Sequence, residues 1–435
     1  MRKGWRILFV LIFLEIFVDG FFVYCFFFYT GMHFIKDFVL ALTFLFFLLQ
    51  EPFQEWFNRL GKELGAGAVF CMFALITTGI LSIFNAETPS LIRGLLGLKL
   101  QFLPWLIIPL CYAYFDNVQV IEKFFKILVW SSVPINILGL MQYAFGPGFM
   151  VGTFGPGFIN NTQIAMIGGD YSGKTFVRIV GTFAASSLYG EFLVFTIIIC
   201  FAFFSSRTKA RWPWILAIAQ NFVCLLGTGS RGALLCLICM FLIFSKMLKR
   251  ARSMAVGFLL FGVVLYVAFA VLGSPVSARF KDAMSVKIIR ERTIDTTHKM
   301  FFRFLERYPF GKGIGSASQA SRYLGKLEGE YELVENYPSK LLHEIGIVGV
   351  IFFYILIILL IARWFYWASA FKEENQAFLF FIALSAYFIG SLIAGTFPDT
   401  PPASILFWAC LGILPRISQI ESVARKKLIN DEITA

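Results

Sequence analysis

Apolar stretches of near membrane-spanning length follow one another along the whole chain, and they constrain the fold more than any other feature. Twelve can be marked: 7–29, 34–50, 65–84, 95–114, 124–145, 184–204, 212–228, 232–248, 254–272, 346–362, 377–396 and 402–415. A helix needs about 20 apolar residues to cross the hydrocarbon core. Composition agrees, with 58% hydrophobic and 15% charged residues, against about 45–50% and about 25% in soluble domains. A soluble globule could not hide so much apolar surface, and disordered chains are polar and aromatic-poor. The expected architecture is all-α: a polytopic bundle of about twelve transmembrane helices, one integral membrane domain over 1–435, with a large external loop containing amphipathic helices.

Orientation follows from the basic connections, because cytoplasmic loops collect Lys and Arg. Arg2, Lys3 and Arg6 place the N-terminus inside. Alternate connections then carry Arg59 and Lys62, Lys123, Arg207 to Arg211, Lys246 to Arg252, and Arg363 with Lys372. The tail 416–435 carries Arg416, Arg425, Lys426 and Lys427, so both termini are expected in the cytoplasm. The net charge of +12 is therefore read as topology and not as nucleic-acid binding. The opening MRKGWR resembles the start of a signal sequence. The apolar run behind it is too long, carries Glu15 and Asp19, and lacks a small-residue cleavage site, so it is read as a retained first span. All eight cysteines fall in apolar stretches, including the Cys236–Cys239 pair. They are expected as buried small hydrophobes, with no disulfide framework and no metal site.

Two external segments stand out. Residues 146–183 form a Gly-rich loop (GPGFMVGTFGPGF, INNTQ) ending near Arg178. Residues 273–345 form the longest polar stretch, with 12 Lys and Arg and 9 Asp and Glu. Within it THKMFFRFLERYPF spaces apolar residues at three and four and ends at Pro309, the pattern of an amphipathic surface helix.

Several polar residues sit where a charge needs a reason. GTGSRGA joins two apolar stretches by a turn too short to leave the interface, and it presents Arg231 at their external end. An Arg there makes a fork for phosphate oxygens; an Arg at a helix end also snorkels without further purpose. Arg93 and Lys99 open another stretch on the external side. In VENYPSKLLHEIGIVGVIFF, Glu335 and Asn336 close the long loop ahead of Gly346 and Gly349. Gly at i and i+3 permits close helix packing, and a carboxylate at the membrane face can serve as general base on a sugar hydroxyl. Glu335 is also one of several loop acids, with Glu328, Glu330 and Glu332. His343 and Glu344 have no second His at helical spacing, so they do not form a zinc helix. No metal and no cofactor is expected.

Taken together, four stretches resemble the O-antigen ligase and O-antigen polymerase superfamily of bacterial envelope enzymes. They are GLMQYAFGPG, FVRIVGTFAASSLYGEFL, GTGSRGALL, and RYPFGKGIGSAS through ENYPSKLLHEIGIVG. The resemblance implies a metal-independent glycosyltransferase of the bacterial inner membrane, with its active site facing the periplasm. Its substrate would be a polyprenyl-pyrophosphate-linked glycan entering from the membrane lipids, with a chain-length regulator protein as a possible partner. By position, Arg231 matches the family's Ser-Arg-Gly arginine, Arg178 the arginine before Gly-Thr-Phe, and Arg290 or Arg292 a loop arginine. Arg93 and Asn336 join the substrate-binding set, with Glu335 and Arg231 as the catalytic pair.

One departure bears on the subfamily. Ligases of the superfamily carry a His at the head of the last stretch, where this chain carries Glu335 and Asn336 with Gly346 and Gly349 in register. His343 would need a shift of eight residues to replace it. This favours a polymerase of lipid-linked repeat units over a ligase acting on lipid A core. The rival class is a lipid-linked oligosaccharide flippase. It is disfavoured because transporters show repeated halves or matched broken helices, and no internal repeat is visible.

Overall fold

The structure is a computed structural model. It describes residues 5–13, 29–50, 53–154 apart from 86 and 89, 166–167, 176–206 apart from 184, 211–247, 262, 266, 296–317, 334, 337–371, 375–394 and 403–434. Among the described residues the architecture is helical, apart from one two-stranded antiparallel ribbon pairing β1 (Met166–Ile167) with β2 (Phe176–Val177). Among the described residues, seven helices are long and apolar enough to cross a membrane, or eight if one bent pair counts as a span. The chain is thus a multi-pass membrane protein, and among the described residues the expected count of twelve is not shown. The stretches 212–228 and 232–248 form helices of only 17 residues each. The stretch 254–272, apart from two isolated residues, and much of 7–29 with Glu15 and Asp19 lie outside the described residues.

Two compact units interleave along the chain: 1–43, 115–288 and 373–396 form the first, and 44–114, 289–372 and 397–435 the second. Helix α1 (Tyr29–Gln50) runs across their boundary.

The first unit is built on α6 (Val118–Phe154), α7 (Ser186–Ser205), α8 (Trp212–Thr228), α9 (Arg231–Met247) and α12 (Gln376–Ala394). Helix α7 is its centre and touches all four of the others. Its sequence is apolar on every face, which is what a helix surrounded by helices requires, and its residues Phe192 to Phe204 are all buried. Phe203 stacks on Trp214 at 4.2 Å, and Phe195 meets Tyr387 edge-on at 4.8 Å. Polar side chains bind α6, α7 and α8 together inside this apolar surround. Asn136 donates to Asn221 Oδ1 at 3.0 Å, Tyr189 donates to Asn136 Oδ1 at 2.6 Å, and Thr196 donates to Asn221 Oδ1 at 3.1 Å. The membrane-spanning part of α6 runs over Val118–Gly146, and after a break at Gly146 (φ 70°) a second helical piece continues to Phe154.

The second unit comprises α2 (Phe53–Leu64), α3 (Ala66–Ile83), α4 (Leu91–Phe102), α5 (Ile107–Tyr114), α10 (Thr296–Arg307), α11 (Tyr337–Ala368) and α13 (Ala403–Thr434). The stretch read as one helix over 95–114 is α4 and α5 joined by a 3-10 turn, Leu103–Leu106, where Pro104 cannot donate an α-helical hydrogen bond. Helix α11 packs on α3 and α10, and α13 packs on α5. The seven cysteines among the described residues are in no disulfide, and six of them are buried, including Cys236.

The amphipathic piece expected before Pro309 is α10. It presents one buried side chain, Phe304, towards α11, while Phe302, Arg303, Glu306 and Arg307 are exposed. Helix α11 begins at Tyr337, nine residues before the expected start at 346, and is broken at Gly346 (φ 73°). The expectation that Gly346 serves close helix packing is corrected here. A Cβ at Gly346 would overlap the backbone of Phe310, and Ile347 N–H donates to the Pro309 carbonyl at 2.9 Å. The glycine admits a loop, not a helix.

Candidate functional site: two arginines on one interhelical turn

In the first unit the site is the turn between α8 and α9. Helix α8 ends because Gly229 adopts φ 59°, ψ 22°, and its N–H returns to the Leu226 carbonyl. Left-handed backbone of this kind costs glycine little. Ser230 restarts the chain as the N-cap of α9: its hydroxyl accepts from Ala233 N–H at 3.4 Å, and its carbonyl accepts from Leu234 N–H at 3.2 Å. Arg231 is therefore the first residue of a 17-residue helix. The positive end of the helix dipole and the guanidinium favour negative charge at the same place. The Thr228 hydroxyl donates to the Leu225 carbonyl and accepts from Ser230 N–H, so the turn is held from inside.

Arg178 reaches this turn from the far side of a long connection. Its Nε–H donates to the Thr228 carbonyl at 2.8 Å, and Ile179 N–H donates to the Gly227 carbonyl at 3.1 Å. Close approach explains the small residues around it. A Cβ on Gly227 would lie 2.8 Å from the Ile179 side chain, and one on Gly190 of α7 would lie 3.0 Å from Ala233 Cβ and 3.1 Å from Ser230 Cβ. Arg178 and Arg231, 53 positions apart in the chain, are thus anchored within a single four-residue turn. Both are partly exposed. Guanidinium groups and a helix N-terminus are each chemically suited to an anion with several oxygens, such as a pyrophosphate.

In the second unit the loop 309–317 is woven into its surroundings. Gly311, Gly313 and Gly315 all have positive φ, at 82°, 106° and 88°. Lys312 N–H donates to the His343 carbonyl at 2.6 Å and Gly313 N–H to the Glu344 carbonyl at 3.1 Å. Ser316 Oγ lies 3.0 Å from His343 Nδ1, and Ala317 N–H donates to Glu344 Oε1 at 3.1 Å. His343 and Glu344 are 0% and 1% exposed. Phe304 and Tyr308 pack edge-on against the His343 ring. The His–Glu pair thus fastens the Gly-rich loop to the break in α11. Its spacing argued against a zinc helix but gave no hint of this task. Arg93 belongs to the same unit. It sits in the first turn of α4, capped by Ser90, with its side chain 1% exposed and its carbonyl against Gly315.

Glu335, Asn336, Arg290 and Arg292 lie outside the described residues. Among the described residues no group of three His, Cys, Asp or Glu side chains is placed to hold a metal ion. Sequence reading noted Gln142 only as the helix-end Gln ahead of a Gly-rich loop in one of the four family-like stretches. That reading of GLMQYAFGPG assigned it no contact and no role. Gln142 is 2% exposed, and its side chain holds the backbone of Val180 and Gly181.

The fold and this turn define a multi-pass helical membrane protein with an arginine pair at the head of a helix. Residues 216–354 match the sequence model of the Wzy_C family, described as O-antigen ligase. The match runs from within α8 to within α11 and so takes in the Arg231 turn, α10, the Gly-rich loop and the broken start of α11. No curated protein matches the chain.

Proposed function

We propose that the protein is a membrane glycosyltransferase that polymerises polyprenyl-pyrophosphate-linked oligosaccharide repeat units into O-antigen or a related surface polysaccharide. The observation that supports this is the anchoring of Arg178 on the turn after which Arg231 opens α9. The reaction takes place on the periplasmic face of the inner membrane, with both termini in the cytoplasm. An acceptor hydroxyl attacks the anomeric carbon of the donor glycan. The bond from that carbon to the pyrophosphate oxygen breaks, and its electron pair leaves with the polyprenyl pyrophosphate. Arg178 and Arg231 stabilise the charge that develops there. Glu335 takes the proton of the attacking hydroxyl. Arg290, Arg292 and Asn336 serve substrate binding, and Arg93, 1% exposed, would have to be uncovered to join them.

The family description favours a second reading, transfer of finished polymer from the lipid carrier to lipid A core. The acid and amide at positions 335 and 336 favour the polymerase. A flippase is the remaining alternative. The test is a gel of products from purified protein in nanodiscs given a polyprenyl-pyrophosphate-linked repeat unit. A ladder of lengthening glycans from the native protein, lost in Glu335→Ala, is expected. Transfer only onto lipid A core would establish the ligase. No transfer at all, with the substrate crossing sealed vesicles, would establish the flippase.

A further inference from the structure

We propose that Gln142 is the positioning residue for Arg178, acting as a one-residue substitute for a β-strand. The proposal rests on the reading of Arg178 as a pyrophosphate ligand.

Residues 178–181 belong to no helix or strand, yet Ile179 and Val180 are 1% and 0% exposed. Buried backbone groups need partners, and here a side chain supplies them. Gln142 Oε1 accepts from Val180 N–H at 3.0 Å and from Gly181 N–H at 2.9 Å, while its Nε2 donates to the Gly181 carbonyl at 2.7 Å. This one amide therefore fixes three backbone groups immediately after Arg178. It does so from the last helical turn of α6 before the bend at Gly146. Gly181 is shaped for the contact, with φ 57° and room for a Cβ only 2.9 Å from Ile135. The chain of support runs from Gln142 to 180–181, then to Arg178, then through the Thr228 carbonyl to the turn that carries Arg231.

The residue type is demanded by this geometry. A carboxylate keeps the two acceptor contacts but has no donor for the Gly181 carbonyl. An Asn is one methylene too short for a contact set made at Gln length. A Leu fills the space and satisfies none of the three groups.

The test is a double-mutant cycle in nanodiscs, reading the affinity for a sugar-free polyprenyl pyrophosphate and the amide hydrogen exchange of residues 176–183. Gln142→Leu is expected to bind at least tenfold more weakly than native protein and to exchange Val180 and Gly181 faster. Gln142→Glu should lose less. The double variant Gln142→Leu/Arg178→Ala should bind like Arg178→Ala alone, because Gln142 acts through Arg178. Asn221→Leu, which removes a polar tie elsewhere in the same unit, should lower thermal stability without weakening binding. If Gln142→Leu does not fold, the cycle is run with Gln142→Glu. Additive losses, or native affinity in the Gln142 variants while Arg178→Ala loses binding, would overturn the positioning role alone. Native affinity in Arg178→Ala would overturn the pyrophosphate reading, and this proposal with it.

Discussion

At Gly315 the backbone of the Gly-rich loop passes so close to α4 that a Cβ would overlap the Arg93 carbonyl, and its φ is 88°. Both facts forbid a side chain. Gly315→Ala is expected to destabilise the protein by more than about 1 kcal/mol, seen as a lowered thermal midpoint in detergent. Gly61 of α2 is the counter-case, with helical backbone and nothing within 4 Å of a built Cβ. Gly61→Ala should hold or raise the midpoint, by up to about 1 kcal/mol. The two substitutions are the same edit in the sequence, and only the neighbours separate them. The same limit governed the site. The position of Arg231 at a helix start was legible, because Gly-Ser-Arg-Gly between two apolar stretches marks a turn. The fastening role of His343 and Glu344 was not, because their partners Ser316 and Ala317 lie 27 positions away. Gln142 was hidden for the same reason, since its contacts lie 38 and 39 positions on.

Among the elements, hydrophobic length located nearly every described helix, and α10 was found from its three-and-four spacing. What the pattern could not fix was where a helix bends or ends. Gly146 and Gly346 sit inside helices at positive φ, whereas Gly229 at a similar φ ends one. The difference lies in ψ, −167° and −175° at the two breaks against 22° at Gly229, and residue type alone does not set it. The tie between α6, α7 and α8 belongs to this scale too. A polar contact between buried helices is worth about 0.6 kcal/mol on average and up to about 2, and Asn221 takes part in several. Its side chain accepts from Asn136 and Thr196 and donates to the Ala217 carbonyl at 2.7 Å. Asn221→Leu is expected to cost about 1–2 kcal/mol, measured as a lowered thermal midpoint. An unchanged midpoint would show that these bonds are replaced without loss.

For the whole molecule, the composition fixed the solvent: 58% hydrophobic residues belong in a membrane. The division into two interleaved units was not legible, because contiguous sequence says nothing about which helices share a core. The arrangement gives the first unit the Arg178–Arg231 turn and the second the Gly-rich loop with its His343–Glu344 fastening. The proposed chemistry hangs on the first of these, where guanidinium forks would meet the oxygens of the leaving pyrophosphate. An ammonium is a point charge and does not replace a planar bidentate guanidinium. The most direct measurement is therefore the glycan ladder made from a lipid-linked repeat unit by purified Arg231→Lys in nanodiscs. The account predicts a loss of polymer of at least tenfold in rate, although the positive charge is kept. A ladder of native length and rate from that variant would contradict it.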